Sequence, residues 1–528
     1  MSNETELFAA PTNPMPVARQ ILERVHSKDG YRFRHWRGAW MIWQGSHWRE
    51  TDDRDIKSNV YKRLEHAEYE VQARNEVVTR PWAPTKRKVA DVMEAMSSVA
   101  LLPSDIDPPA WLDGTKINGP IVACQNGLLH LADRELLEPT PAFFNLVSVP
   151  FDYDTDAPEP AGWLKFLGEI WPDDPDQIAV LQEFFGYALS GRTDLHKILL
   201  IIGPTRSGKG TIARVLASML GKGNTAGPTL ASLATNFGIS PLLGKPLAVV
   251  SDARLAGRDT HQVVERLLTI SGEDTIDVDR KYREPWTGKL PTRLVILSNE
   301  LPSFGDASGA IAHRFLVLSM AQSFLGRENP RLTDELSEEL PGILNWALEG
   351  LDRLTENGRF TEPKSSDHAV LAMKDMASPV SAFVRERCTT APGDTVIVDD
   401  LWEEWKTWCE DSERRSGNKQ KFGRDLQSVL PSIRRTRPRG PDGKQVGTYE
   451  GVGLQGKTDS ALNRDSSDSD DSTEPLESLE SRHKPLSAQH STAHMWWPRE
   501  NRGEHGRDCP DCRRSAGGPD HTNERTTP

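Results

Sequence analysis

The sequence predicts an α/β protein centred on a parallel sheet with flanking helices. An N-terminal α+β domain precedes the sheet, and a winged helix and a disordered tail follow it. Three observations carry that prediction. An apolar run at 197–202 leads through the glycine-rich stretch Gly203 to Thr211 into a helical pattern at 212–220. Two further apolar runs, 246–251 and 292–298, each end in a polar residue, Asp252 and Asn299, with a helical pattern around Glu265 between them. Strands alternating with helices in this way build a parallel sheet. Residues 366–455 then join helical patterns to a basic, glycine-containing hairpin.

Composition sets the bounds. The 528 residues are enough for several domains with cores of their own. No apolar run reaches the roughly 18 residues of a membrane-spanning helix, and the acidic start Met1 to Leu7 is unlike a secretory signal. Five scattered cysteines, an odd number, fit a reducing cytoplasm better than a disulfide framework. With a net charge of −13, any nucleic-acid contact has to use local basic patches.

Residues 1–25 read as a flexible N-terminus that turns helical, and 26–191 as the N-terminal α+β domain. From Tyr31 to Trp48 aromatic residues alternate with polar ones around two glycine turns, a short β-meander. Its aromatics either fill a small core or, with the interleaved arginines, stack on single-stranded nucleic acid. Charge-rich helical patterns follow from Asp55 to about Ser98. Asn126-Gly127 between the apolar runs 119–124 and 128–131 signals a hairpin. After a turn-rich connector at 143–158, two amphipathic helices, 163–171 and 178–189, lead into the domain at 192–350.

The stretch Gly203, Pro204, Thr205, Arg206, Ser207, Gly208, Lys209, Gly210, Thr211 has the context of a phosphate-binding loop (P-loop). Glycines let the backbone curl around phosphates, and the amides at the start of a helix point at the anion. Lys209 is placed to reach the β- and γ-phosphates of ATP. Gly210 stands where Ser or Thr usually follows the lysine, so the hydroxyl for Mg²⁺ falls to Thr211. Asp252, ending its strand, is the second candidate for holding Mg²⁺. Ala253 stands where a second acid would serve as catalytic base, which leaves Asp252 itself or an acid near Glu265. Asn299 is a candidate for orienting the attacking water. Arg314, before another apolar strand, is a candidate for stabilising phosphoryl charge across a subunit interface.

Basic residues mark two candidate DNA contacts. Arg280, Lys281 and Arg283 cluster with Tyr282 and Trp286 in a hairpin-like stretch, which is alternatively a solvated charged loop. In the 366–455 domain, Lys421 opens a candidate recognition helix, and Arg434, Arg435 and Arg437 run into a basic wing. A wing used only for protein packing is the other reading. Residues 456–528 are too poor in branched apolar residues to offset ordering entropy, so they read as disordered. Cys509 and Cys512 lack the second pair of a zinc site.

In this order the motifs resemble those of the superfamily 3 helicases, with their AAA+-like core. Gly203–Thr211 is similar to motif A, Asp252 to motif B, Leu294–Pro302 to motif C, and Arg314 to the arginine finger. Asn126–His130, Pro150–Asp154 and Phe184–Gly191 resemble the domain before the helicase in poxvirus-type and phage primase-helicases. The resemblance implies an ATP-hydrolysing replicative DNA helicase of a phage or mobile element. It implies a homo-hexamer using ATP and Mg²⁺ on single-stranded and forked DNA, with catalysis by Lys209, Asp252, Asn299 and Arg314. About 25 residues precede the meander, too few for a polymerase fold, so a primase or polymerase partner is expected to be separate. An ATP-controlled origin-binding initiator without processive unwinding is the alternative, and a nucleotide kinase a further one.

Overall fold

The computed structural model describes residues 6–23, 31–73, 76–253, 260–281, 284–302, 304, 310–439 and 444–455. The centre is a five-stranded sheet of β1 (Ile198–Ile202), β2 (Thr225–Ala226), β3 (Leu247–Val250), β4 (Arg293–Ser298) and β5 (Phe315–Ser319), ordered β2-β3-β4-β1-β5. All four pairings are parallel. Alternate side chains of each strand enter cores on opposite faces. Leu199 and Ile201 of β1 face one core, while Ile198 and Leu200 face the other. Burial on both faces is why these strands read as continuous apolar runs rather than alternating ones.

The first core is covered by helices Ala161–Ile170, α1 (Pro175–Ser190), α2 (Lys209–Leu220) and α3 (Leu340–Asn357). Helices α1 and α3 approach so closely that only glycine fits at two contacts. A Cβ on Gly186 would lie 2.4 Å from the Ala347 carbonyl oxygen, and one on Gly350 would lie 2.5 Å from the Gln182 backbone. The fully buried Glu183 carboxylate of α1 accepts hydrogen bonds from Arg353 Nε of α3 (2.8 Å), the Thr361 amide (2.8 Å) and the Thr361 hydroxyl (2.7 Å). The same core takes in Val122, Leu129 and Tyr153, so it runs continuously across the boundary expected at 191.

The second core is covered by helix Thr260–Ser271 and by Met373 of helix Lys364–Ala377, whose Ser366 hydroxyl donates to the Val317 carbonyl (2.6 Å). That helix was expected to open the C-terminal domain at 366. The separate aromatic core of that domain instead starts at Val380 and gathers Phe383, Trp405, Trp408 and Phe422.

The N-terminal meander forms as expected from Phe33–Trp36, Ala39–Trp43 and Trp48–Thr51, and Trp40, Trp43 and Trp48 are buried in it. One expectation fails here. The 55–98 stretch is not continuously helical: helix Asp53–Leu64 is followed by a hairpin of Glu68–Ala73 and Glu76–Pro81, then helix Lys86–Val99. Every residue of Glu76–Pro81 is exposed, so no buried face stamps a period of two on that sequence. The leader turns helical, as expected. Helix Pro14–Glu23 buries Val17, Ala18, Ile21 and Leu22 in the domain core beside Phe8. The Asn126-Gly127 hairpin pairs Val122 with Leu129, and the Asn126 side chain bonds both the amide and the carbonyl of Tyr153.

Candidate functional site

The loop from Gly203 to Gly208 leaves the C-terminal end of β1 and enters α2. Gly208 has φ 99°, the left-handed region that glycine occupies without strain, and it is the N-cap of α2. A Cβ on Gly203 would meet the Met320 Cβ at 2.7 Å, so the loop's first glycine is fixed by close packing. Pro204, Thr205 and Arg206 are exposed at the tip, whereas Ser207 and Thr211 are buried. Arg206 holds a positive φ of 62°. The segment after β5 braces the loop: the Ser323 hydroxyl donates to the Thr205 carbonyl (2.8 Å) and the Phe324 amide to the Arg206 carbonyl (2.9 Å).

The Lys209 ammonium spans this turn. Nζ donates to the carbonyls of Gly203 (2.6 Å) and Pro204 (2.8 Å) and to Ser207 Oγ (3.3 Å). Partial burial holds its pKa below the ordinary lysine value. The Thr211 hydroxyl accepts from the guanidinium of Arg214, one turn further along α2, at 3.1 Å.

Register fixes what lies beside the loop. Ile202 pairs with Ser298, and the Gly203 amide donates to the Ser298 carbonyl (3.2 Å), so Asn299 follows directly beside the first loop glycine. Val250 pairs with Ile296, and the Ala253 amide donates to the Leu297 carbonyl (3.2 Å), which puts Asp252 on the same edge. Asp252 and Asn299 are both exposed. The loop, Asp252 and Asn299 therefore share the C-terminal edge of the sheet, where ligands of open α/β sheets bind. Glu265 is exposed on helix Thr260–Ser271, which runs back from that edge.

Arg314 is not with them. It ends the 3-10 turn Ala310–Arg314 and precedes Phe315, the partner of Ile198 at the start of β1. The five residues of β1 separate it from Gly203, a span of about 16 Å at about 3.3 Å per residue. Its guanidinium lies over Gly272 instead, where an added Cβ would be 3.4 Å away.

The same N-terminal edge holds Arg293, 2% exposed, whose Nε donates to the Arg192 carbonyl (2.8 Å). Burial pushes its pKa down to about 10, and burial pushes the neighbouring Tyr187 phenol up to about 12. A buried arginine at the first position of a strand is invisible to motif reading. Arg214 was also missed, although its spacing of three from Thr211 places both on one helix face.

Of the expected DNA contacts, Arg280 and Lys281 lie at the end of a hairpin formed by Ile276–Val278 and Trp286–Gly288, Arg280 half-buried and Lys281 exposed. Arg280 Nε donates to the Glu284 carbonyl (2.9 Å). Arg283 and the tail with Cys509 and Cys512 lie outside the described residues. In the C-terminal domain the order is helix Pro379–Arg387, strand Thr395–Ile397, helix Val398–Asp411, helix Lys419–Val429, strand Arg434–Thr436 and strand Thr448–Glu450. Thr448–Glu450 lies between the other two strands. Lys421 is exposed in the first turn of its helix, where its amide donates to the Asn418 side chain (2.8 Å). Arg434, Arg435 and Arg437 are exposed. Among the described residues no group of three or more metal-ligating side chains is found, and no helix is long and apolar enough to cross a membrane.

Three family descriptions match successive stretches of this chain. "D5 N terminal like" matches residues 18–172, a family of unknown function (DUF5906) matches 201–314, and "Poxvirus D5 protein-like" matches 377–445. Among solved structures, the apo C-terminal region of NrS-1 is 12% identical and aligns over 84% of this chain and 99% of that one, with a TM-score of 0.48. Its A form is 11% identical over 83% and 99%, with a TM-score of 0.46.

Proposed function

From a chain that carries poxvirus D5-type domains on both sides of a parallel sheet, we propose an ATP-dependent DNA helicase for replication of a phage or related mobile element. One observation carries the reading: a glycine loop with Lys209 across it opens on the same sheet edge as Asp252 and Asn299. The residues fit a nucleoside triphosphate. Gly203 and Gly208 permit the turn, the α2 amides meet the phosphates, and Lys209 exchanges its carbonyl partners for phosphate oxygens. Asp252 would hold Mg²⁺ through water, and Asn299 would orient the attacking water. ATP and Mg²⁺ together supply the phosphoryl chemistry.

Arg314, at the opposite edge, would serve the loop of a neighbouring subunit, which favours the homo-hexameric ring over a monomer. The half-buried Arg280 and the exposed Lys281 of the hairpin, with Lys421, Arg434, Arg435 and Arg437, are the proposed contacts to single-stranded and forked DNA. A cytoplasmic location goes with this reading, with any primase or polymerase a separate partner.

The test is ATP hydrolysis and unwinding of a labelled fork by the wild type, Lys209→Ala, Arg314→Ala, and a mixture of the two variants. DNA-stimulated hydrolysis lost in each variant alone and partly regained on mixing supports a motor with shared sites. Hydrolysis without fork opening favours an ATP-controlled initiator. No hydrolysis by the wild type refutes the reading.

A further inference from the structure

The second turn of α2 carries a cation, lying back over the first, that the loop motif does not assign. Arg214 is anchored twice. Its Nε donates to the Thr333 hydroxyl (3.2 Å), at the start of helix Leu332–Glu338, and Nη2 donates to the Thr211 hydroxyl (3.1 Å). The third nitrogen, Nη1, lies over Gly210, where an added Cβ would be 3.1 Å from it. The guanidinium thus rests against the two residues that follow Lys209, in the turn whose amides would face a phosphate. Two features of the sequence acquire a common cause. Gly210 lacks a side chain where the guanidinium lies, and the Thr211 hydroxyl is already an acceptor for a cation.

A hydroxyl bonded to a guanidinium is a poor Mg²⁺ ligand, because the metal would sit within a few ångströms of a fixed positive charge. The same guanidinium is well suited to a phosphate oxygen, which Arg binds through planar, charge-assisted bonds. We propose that Arg214 is a phosphate-binding residue of the nucleotide loop. It acts as a second fixed cation beside Lys209, and it holds Thr211 as a phosphate contact rather than a metal ligand. This inference rests on the nucleotide-binding reading of the loop and revises one residue within it.

The experiment is titration of ATP into the full chain by calorimetry, with Mg²⁺ and with EDTA, for the wild type, Lys209→Ala, Arg214→Ala, Arg214→Lys and Thr333→Val. Loss of one charge-assisted bond predicts that Arg214→Ala weakens ATP binding by about tenfold to a hundredfold, with and without Mg²⁺. It also predicts a shallower dependence on salt. Arg214→Lys recovers part of the loss. Thr333→Val removes the anchor but leaves the cation, and so keeps most of the affinity.

Equal ATP binding by Arg214→Ala and wild type would overturn the proposal while leaving the loop reading intact. A loss in Thr333→Val as large as in Arg214→Ala would also overturn it, since Arg214 would then act only by bracing the helix. A loss seen only with Mg²⁺ would return Thr211 to the metal. Wild-type protein that binds no ATP, or a Lys209→Ala variant that binds as wild type, would instead sink the loop reading and this inference with it.

Discussion

Gly186 and Gly168 both sit in helices against the central sheet, and the same substitution should act on them with opposite sign. Replacing a helical glycine by alanine gains about 0.5–1 kcal/mol from reduced backbone freedom, when the new methyl has room. Gly168 has room, with nothing within 4 Å of an added Cβ. A Cβ on Gly186 would be 2.4 Å from the Ala347 carbonyl, 2.7 Å from Leu351 Cβ and 2.9 Å from the Leu351 amide. Two of those three atoms are backbone, so relief requires α1 and α3 to separate. Overpacking of this kind costs about 1–3 kcal/mol, and a contact with rigid backbone belongs at the upper end. Subtracting the helical gain leaves Gly186→Ala destabilised by about 2 kcal/mol. At about 2–4 °C per kcal/mol for a domain of this size, the melting transition falls by roughly 4–8 °C. For Gly168→Ala it rises by roughly 1–4 °C. Thermal unfolding followed by near-ultraviolet circular dichroism reads both. A Gly186→Ala protein as stable as wild type would refute the claim that helix contact, not turn geometry, requires glycine there.

Glu183→Ala leaves Arg353 Nε and both Thr361 donors without their acceptor, while the guanidinium keeps its bonds to the Ala179 carbonyl and the Gln182 side chain. Because Arg353 keeps some solvent access, the expected cost is near the lower end for a broken buried pair, about 3 kcal/mol, measured by urea denaturation. His130 is held by the Asn118 carbonyl (2.8 Å) and the Asp133 carboxylate (2.7 Å), and these bonds raise its pKa above the ordinary value. Its contribution to stability is therefore complete below its unfolded pKa of about 6.5 and is lost as pH rises through the higher folded value. Wild type should lose stability across that window, while His130→Gln shows a flatter profile between acid and mildly alkaline pH.

The features legible in the sequence were those that a local segment determines. Lys197 to Leu220 carries strand, glycine turn and helix within one stretch, and the Val122–Leu129 hairpin announces itself through Asn126-Gly127. The exposed strand Glu76–Pro81 has no buried face, so its charges read as helix. Arg293 and Glu183 are charged residues in buried positions, stabilised by groups about a hundred or more residues away in sequence, Arg192 and Arg353. No local pattern encodes such partners. The site divided likewise: Lys209 follows from its motif, whereas the engagement of Thr211 by Arg214 needs the side chains in space.

Strand β4 joins the two edges of the sheet directly. Its first residue, Arg293, follows the hairpin that carries Arg280 and Lys281, and its last, Ser298, adjoins Asn299. All six of its residues are buried. Thr292, just before it, is pinned by its hydroxyl to the Lys245 carbonyl (2.7 Å). Close-packed interiors yield little along their length, so this strand behaves as a push-rod about 20 Å long. On the proposed reading, a displacement of Asn299 by bound nucleotide would reach the base of the hairpin as translation rather than being absorbed on the way. Softening the rod, for example by Val295→Ala, should decouple ATP turnover from movement of the hairpin while leaving both ends chemically intact.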